Sequence, residues 1–237
     1  PVGVDVADQL VCVGLGRGDG SLRACLHIDN CYHIPQLRLV SHRCRTHTQS
    51  ATAFRGFGGP QGMFGIETVI EDIAATLGLD PLEVRKRNLY RDPAVSGDAG
   101  SMTTQYNQTI EDWVGDRVIA QVETQAGYAR RREAVQAFNR SSRHRKRGLA
   151  LEPLKFGISF TATMLNQGGA LLNIYMDGTV SVNHGGTEMG QGLNTKMAQV
   201  CADGLGIATR FVRVTGTDTQ KVPNASATSA SSGADIN

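Results

Sequence analysis

Two glycine-rich runs, each followed at once by a helical stripe, constrain this chain more than any other feature. The first is Thr52-Ala53-Phe54-Arg55-Gly56-Phe57-Gly58-Gly59-Pro60-Gln61-Gly62, where three glycines fall within four positions among two aromatic rings and an arginine. The second is Gly185-Gly186-Thr187-Glu188-Met189-Gly190-Gln191-Gly192. Glycine reaches φ > 0 without steric cost and lets a backbone approach a ligand where a Cβ would collide. A helix that starts directly afterwards presents unpaired N–H groups to an anion. One such run reads as an ordinary strand-to-helix turn; two in one chain point to a cofactor site.

The rest of the sequence sets the frame. At 237 residues the chain holds one large or two modest domains. A hydrophobic fraction of 40% and a charged fraction of 19% suit an ordinary globular core, and a net charge of +2 selects no class of partner. No apolar run approaches the ~20 residues of a membrane span, and no cationic n-region precedes an apolar stretch. Cys12, Cys25, Cys31, Cys44 and Cys201 are odd in number and lack a framework spacing, which favours reduced thiols in the cytoplasm. The opening on Pro1 and the polar end at Asn237 read as an excerpt of a longer polypeptide.

Periodicity supplies the elements. Ile66, Val69, Ile70, Ile73 and Leu77 form a helical stripe closed by Gly78. Asp80-Pro81-Leu82-Glu83 gives the next helix an N-cap, a proline at its first position and an acid at its third. Residues 92–108 form a connection, and Thr109 to Asn139 predicts one or two helices broken near Gly127. Asp177-Gly178 between two apolar segments predicts a hairpin. A helical stripe over Leu193–Leu205 and a strand near Phe211–Thr215 follow. Without a strict βαβ alternation the fold class is α+β, with a boundary near residue 108. Residues 1–22 are glycine-rich, but Asp19 stands where a dinucleotide fingerprint needs its third glycine. His27, Cys31, His33, Cys44 and His47 lack the paired spacings of a zinc site. Arg140 to Arg147 carries five cations plus His144. With no interleaved aromatics it reads as a solvated connector rather than an RNA-binding strip.

The two loops, together with Lys155-Phe156-Gly157-Ile158-Ser159-Phe160-Thr161, resemble the molybdenum-cofactor portion of the xanthine dehydrogenase family, within the wider molybdenum hydroxylases that include aldehyde oxidases. Leu26-His27-Ile28-Asp29-Asn30-Cys31-Tyr32, Arg85-Lys86-Arg87-Asn88-Leu89-Tyr90, Leu165-Asn166-Gln167-Gly168-Gly169-Ala170 and Val222-Pro223-Asn224-Ala225-Ser226 extend the likeness in the same order. It implies mixed sheets with flanking helices, forming parts of two consecutive molybdenum-cofactor-binding domains over residues 1–108 and 109–237. It also implies oxidative hydroxylation of hypoxanthine or xanthine with water-derived oxygen. The cofactor would be molybdenum-molybdopterin, held through the pterin with no side chain on the metal. The 2Fe-2S clusters and FAD are expected on another domain or subunit, in a homo-oligomeric enzyme without nucleic-acid or membrane partners.

By the same resemblance Phe57 and Phe160 clasp the purine, Arg23 stabilises charge developing on its ring, and Thr161 contacts substrate. Phe54, Arg55, Gly56, Phe57, Gly190, Gln191, Ala230 and Ser231 would hold the cofactor. Gln191 offers an amide donor without charge. Glu188, in the same turn, is expected to cap the following helix rather than to act as a base. The general-base glutamate is expected beyond residue 237, and a second substrate-contacting acid before Pro1, so these residues alone should not turn over. The alternatives are an aldehyde oxidase-type hydroxylase, a non-catalytic basic RNA-binding module using Arg140 to Arg147, and a structural remnant without cofactor.

Overall fold

The structure, a computed structural model, describes residues 19–42, 47, 55–98, 100–160, 162–218 and 225–237. Two compact units divide between Phe156 and Gly157.

The first unit is helical. Helix α1 (Asp19–His27) packs against α2 (Gly59–Leu77), whose apolar stripe buries Ile66, Val69, Ile70 and Ala74. Helix α2 ends as its sequence demands: Gly78 takes φ 66 and its N–H bonds the carbonyls of Ala74 and Ala75. Helix α3 (Pro81–Asn88) starts on the expected cap, the Leu82 N–H donating to Asp80 Oδ1 at 2.9 Å. The connection over 92–108 contains a single turn of helix, α4 (Pro93–Ser96). Gly127, at φ 58, separates α5 (Gly115–Ala126) from α6 (Tyr128–Ser141). Ile119 and Tyr128 return to the core of the earlier helices, and Leu149 and Leu151 pack on it. That return is why the compact unit runs to Phe156.

An ion network crosses this core. Glu67 accepts from Asn30 Nδ2 at 2.8 Å, from the Tyr32 hydroxyl at 2.5 Å and from Arg85 Nε at 2.8 Å. Arg85, fully buried, also donates to Glu71 at 2.7 Å. A guanidinium withdrawn from water persists only when its donors are taken up in this way. Burial, followed by the neighbouring Glu67 charge, holds the Tyr32 hydroxyl well above the usual tyrosine range. Burial likewise pushes the Cys31 thiol up to about 12, so it packs as an apolar group.

The second unit is α+β. Strands β1 (Ala170–Ile174) and β2 (Val180–His184) pair antiparallel around the Asp177-Gly178 turn, with Ala170 opposite His184 and Ile174 opposite Val180. Strand β3 (Val212–Val214) joins β2 in parallel, giving the order β1-β2-β3. Helix α7 (Leu193–Leu205) covers β3 and buries Leu193, Met197 and Ala202. Val180, Val182 and His184 are buried on one face of β2. The chain closes on a turn of helix, α8 (Gly233–Ile236). Among the described residues no helix is long and apolar enough to cross a membrane.

Candidate functional site

In the first unit the glycine run enters α2 through a tight bend. Gly56 and Gly58 take φ 95 and 99, and Phe57 between them takes φ 48. The bend closes by Gly59 N–H donating to the Gly56 carbonyl at 3.0 Å and Gly62 N–H to the Gly58 carbonyl at 3.1 Å. The glycines of the run also serve packing. A Cβ on Gly62 would meet the backbone carbonyl of Ala24 in α1, and one on Gly59 would lie 2.7 Å from the Phe156 ring. Bare backbone is therefore what lets α1 and α2 touch.

Arg23 lies on α1 at this contact and is buried. Its guanidinium sits over the Phe156 ring, 5.3 Å from the centroid. Burial lowers its pKa, partly offset by Tyr106. His27, one turn on, bonds the Arg23 carbonyl through Nδ1 at 2.9 Å and lies 4.8 Å from the same ring. That backbone bond makes Nδ1–H the donor. Arg55 is exposed and Phe57 half-buried. Phe54 lies outside the described residues. His33 pairs with Asp98 at 2.9 Å, away from His27. Among the described residues no three His, Cys, Asp or Glu side chains are grouped to hold a metal.

In the second unit three segments converge. Thr187 N–H donates to Thr228 Oγ1 at 2.8 Å, and Ser159 N–H to the Ala230 carbonyl at 2.7 Å. Asn237 Oδ1 accepts from both Gly169 and Gly185, at 3.2 and 3.1 Å. Phe160 is held by its main chain: its N–H donates to Asn166 Oδ1 at 2.8 Å and its carbonyl accepts from Asn166 Nδ2 at 2.9 Å. Thr161 lies outside the described residues.

The second glycine run is built by caps. Glu188 accepts the N–H groups of Gly190 at 2.8 Å, Gly192 at 3.0 Å and Asn194 at 3.0 Å, across the start of α7. These bonds, that from Asn194 first, hold its carboxyl below the usual glutamate range, as expected of a cap. Gly190 and Gly192 take φ 97 and 77, with nothing within 4 Å of where a Cβ would stand. Gln191 accepts from Met189 N–H at 2.5 Å and donates through Nε2 to the Thr187 carbonyl at 2.9 Å. An amide nitrogen carries two hydrogens, so a second N–H remains to offer. His184 steadies the stem: it accepts from Gly186 N–H at 3.0 Å through Nδ1, which leaves the proton on Nε2, 3.1 Å from Asn194 Oδ1.

Backbone strain marks the same places without reference to any family. Among the described residues, the non-glycine positions with positive φ that are neither Asn nor Asp are Phe57 (48), Ser159 (71), Ala230 (59) and Ser231 (60). Asn and Asp tolerate this region; other side chains enter it at a cost, and such residues cluster at binding sites. Phe57, Ala230 and Ser231 are residues that the sequence singled out, and Ser159 adjoins Phe160. Sequence reasoning did not single out Ser159, Asn166 or the stacking of Phe156 on Arg23. The second N–H of Gln191 and an exposed Ser231 hydroxyl form a polar, uncharged donor set, while Gly190 and Gly192, whose N–H groups Glu188 already takes, contribute only open space. Such a set fits a phosphate-bearing, oxo-rich anionic cofactor.

Comparison with known proteins follows this geometry. Residues 17–89 and 121–237 match two family models, each described as a molybdopterin cofactor-binding domain. The chain is 50% identical over 215 residues to the xanthine dehydrogenase of Drosophila subobscura and 47% identical to the xanthine dehydrogenase/oxidase of Gallus gallus. Each alignment covers 91% of this chain and 15% of the relative, so the chain spans about a seventh of the length of these proteins. Among solved structures, the quinoline 2-oxidoreductase of Pseudomonas putida superposes with a TM-score of 0.71 at 24% identity, covering 90% of this chain and 27% of that one. The aldehyde oxidoreductase of Desulfovibrio desulfuricans gives 0.58 at 21%, covering 89% and 22%. These structural likenesses establish the α+β fold, and the two family models divide it into two consecutive cofactor-binding domains.

Proposed function

The chain belongs to the molybdopterin cofactor-binding domain family and is of the xanthine dehydrogenase type, and from that premise we propose that it holds molybdopterin and positions hypoxanthine or xanthine for hydroxylation. The observation that carries the reading is the coincidence of backbone strain at Phe57, Ala230 and Ser231 with the residues the family resemblance selects.

Phe54, Arg55, Gly56 and Phe57 from the first cofactor-binding domain, and Gly190, Gln191, Ala230 and Ser231 from the second, serve the cofactor. The division between those domains lies near residue 108. When bound, the molybdenum centre supplies two-electron oxidation and oxygen delivery, which side chains alone do not perform. The chain's residues do the rest. Gln191 donates an uncharged N–H, and Gly190 keeps side-chain bulk away from the loop. Phe57 and Phe160 orient a flat ring through its faces and edges, with Thr161 beside Phe160 offering a hydroxyl. Arg23, kept from water, stabilises negative charge that grows on the purine during attack more than charge in the ground state. The 2Fe-2S clusters and FAD that would accept the electrons belong elsewhere in a cytoplasmic, homo-oligomeric enzyme of purine catabolism.

The test is Arg23→Met in the holoenzyme. Purine kcat/KM should fall by on the order of a hundredfold, with aldehyde turnover much less affected. Equal losses on purine and aldehyde would remove Arg23 from purine recognition and favour an aldehyde oxidase-type hydroxylase.

A further inference from the structure

We infer that Phe156 is a positioning residue, whose ring sets the direction of the Arg23 guanidinium and braces the bend at Gly58–Gly59. The inference rests on the reading of Arg23 as the purine contact.

One ring meets three partners of the first unit. Its centroid lies 5.3 Å from Arg23 Cζ and 4.8 Å from the His27 ring, tilted 35° to it. Its Cε2 stands 2.7 Å from where a Gly59 Cβ would be. The face of a benzene ring attracts a cation through its quadrupole, and a planar guanidinium stacks on it where an ammonium would not. Arg23 has a long stem with several rotatable bonds, so its charge needs a wall to be useful in one direction. Gly59 has the ordinary helical φ, so conformation does not call for glycine there. The ring does.

The backbone just before the ring is in turn fixed, while the ring keeps one side exposed. Asn30, buried completely, uses its whole amide: Oδ1 accepts the Lys155 N–H at 3.1 Å, and Nδ2 donates to the Pro153 carbonyl at 2.9 Å and to Glu67 at 2.8 Å. Lys155 Nζ donates to Asp29 Oδ2 at 2.6 Å and lies 4.8 Å from the Tyr90 ring centroid. The Tyr90 hydroxyl donates to the same Asp29 oxygen at 2.5 Å. Residues 153–155 are thus clamped by backbone and side chain immediately before Phe156. The Asn30–Glu67–Arg85 network reads as the foundation of that clamp, connecting core packing to the placement of one charge. A ring carried on backbone fixed in this way directs its neighbours rather than merely filling space.

The experiment is a double-mutant cycle in the holoenzyme: wild type, Phe156→Leu, Arg23→Met and the double variant, with Phe156→Tyr as the conservative replacement. Steady-state kinetics on xanthine and on an aldehyde are read beside the Kd of uric acid from equilibrium dialysis, thermal midpoint and molybdenum content. Phe156→Leu should lower purine kcat/KM about tenfold and weaken uric acid binding by a similar factor, with aldehyde turnover within about twofold. Phe156→Tyr should restore both, and Phe156→Leu should add nothing once Arg23 is methionine. Equal effects of Phe156→Leu in both backgrounds would overturn positioning and leave the role of Arg23 standing. Loss of purine selectivity in the ring-preserving tyrosine variant would overturn it as well. If Arg23→Met alone spares purine turnover, the reading of Arg23 fails and takes this inference with it, an outcome recognisable from that single variant.

Discussion

The two glycine runs look alike as sequence and differ in physical cause. In the first, Gly59 and Gly62 are glycine because other atoms already occupy the space of a side chain: the Phe156 ring and the Ala24 carbonyl. In the second, Gly190 and Gly192 have open space around them and are glycine because their φ of 97 and 77 would strain other residues. The first run ends in a joint between helices; the second ends in an open turn shaped by its own backbone and by Glu188, with its stem tied to Thr228 and Asn237. A glycine pattern alone therefore does not say whether a ligand comes close. Neighbouring residues of unusual backbone conformation, such as Phe57 and Ala230–Ser231, say more.

The comparison breaks most visibly at Gly62. Gly62→Ala forces α1 and α2 apart at backbone, which side-chain rotation does not relieve. It should cost about 3 kcal/mol, the upper end of ordinary overpacking, and appear as a lower thermal midpoint and lost cofactor together. A variant with the wild-type midpoint would mean that the helices are not in backbone contact. Gly190→Ala should cost about 1–2 kcal/mol through conformational strain alone. Its signature is a local change: faster amide exchange at residues 188–194 with the first unit unaffected. Destabilisation spread across both units would erase the distinction.

The smallest effect is set by pH. Glu188 has its folded pKa depressed by backbone N–H donors, so its contribution is complete above the ordinary value of 4.5 and fades as pH falls below it. Protection of the Gly190, Gly192 and Asn194 amides should decline together over that range and should be weakened at neutral pH by Glu188→Gln. Amides of Gly59 and Gly62, bonded to backbone carbonyls of Gly56 and Gly58, should keep their protection. Parallel loss in both runs would show that they are one kind of loop after all.

Much of the fold was legible because it depends on local chemistry. The stripe from Ile66 to Leu77, the Asp80 cap, the break at Gly127 and the turn at Asp177-Gly178 each follow from neighbours within a few residues. Helix α1 was not read, because its inward face carries Arg23 and His27, which look like surface residues until Phe156 covers them. The return of Ile119, Tyr128 and Leu151 to the first core was equally hidden, since it is decided by long-range packing. Of the site, the glycine runs and Phe57 announced themselves. Phe156 did not, although one signal existed: a glycine at an ordinary helical position, Gly59, implies a neighbour pressed against it.

Direct chemical analysis of the purified holoprotein tests the central claim, that these residues hold molybdopterin. Wild-type protein should contain molybdenum and pterin in equal amounts, near one of each per chain, and Gly190→Ala should lose both while remaining folded. Protein that is folded yet free of pterin and molybdenum, or that retains both undiminished after Gly190→Ala and Gln191→Ala together, would contradict it.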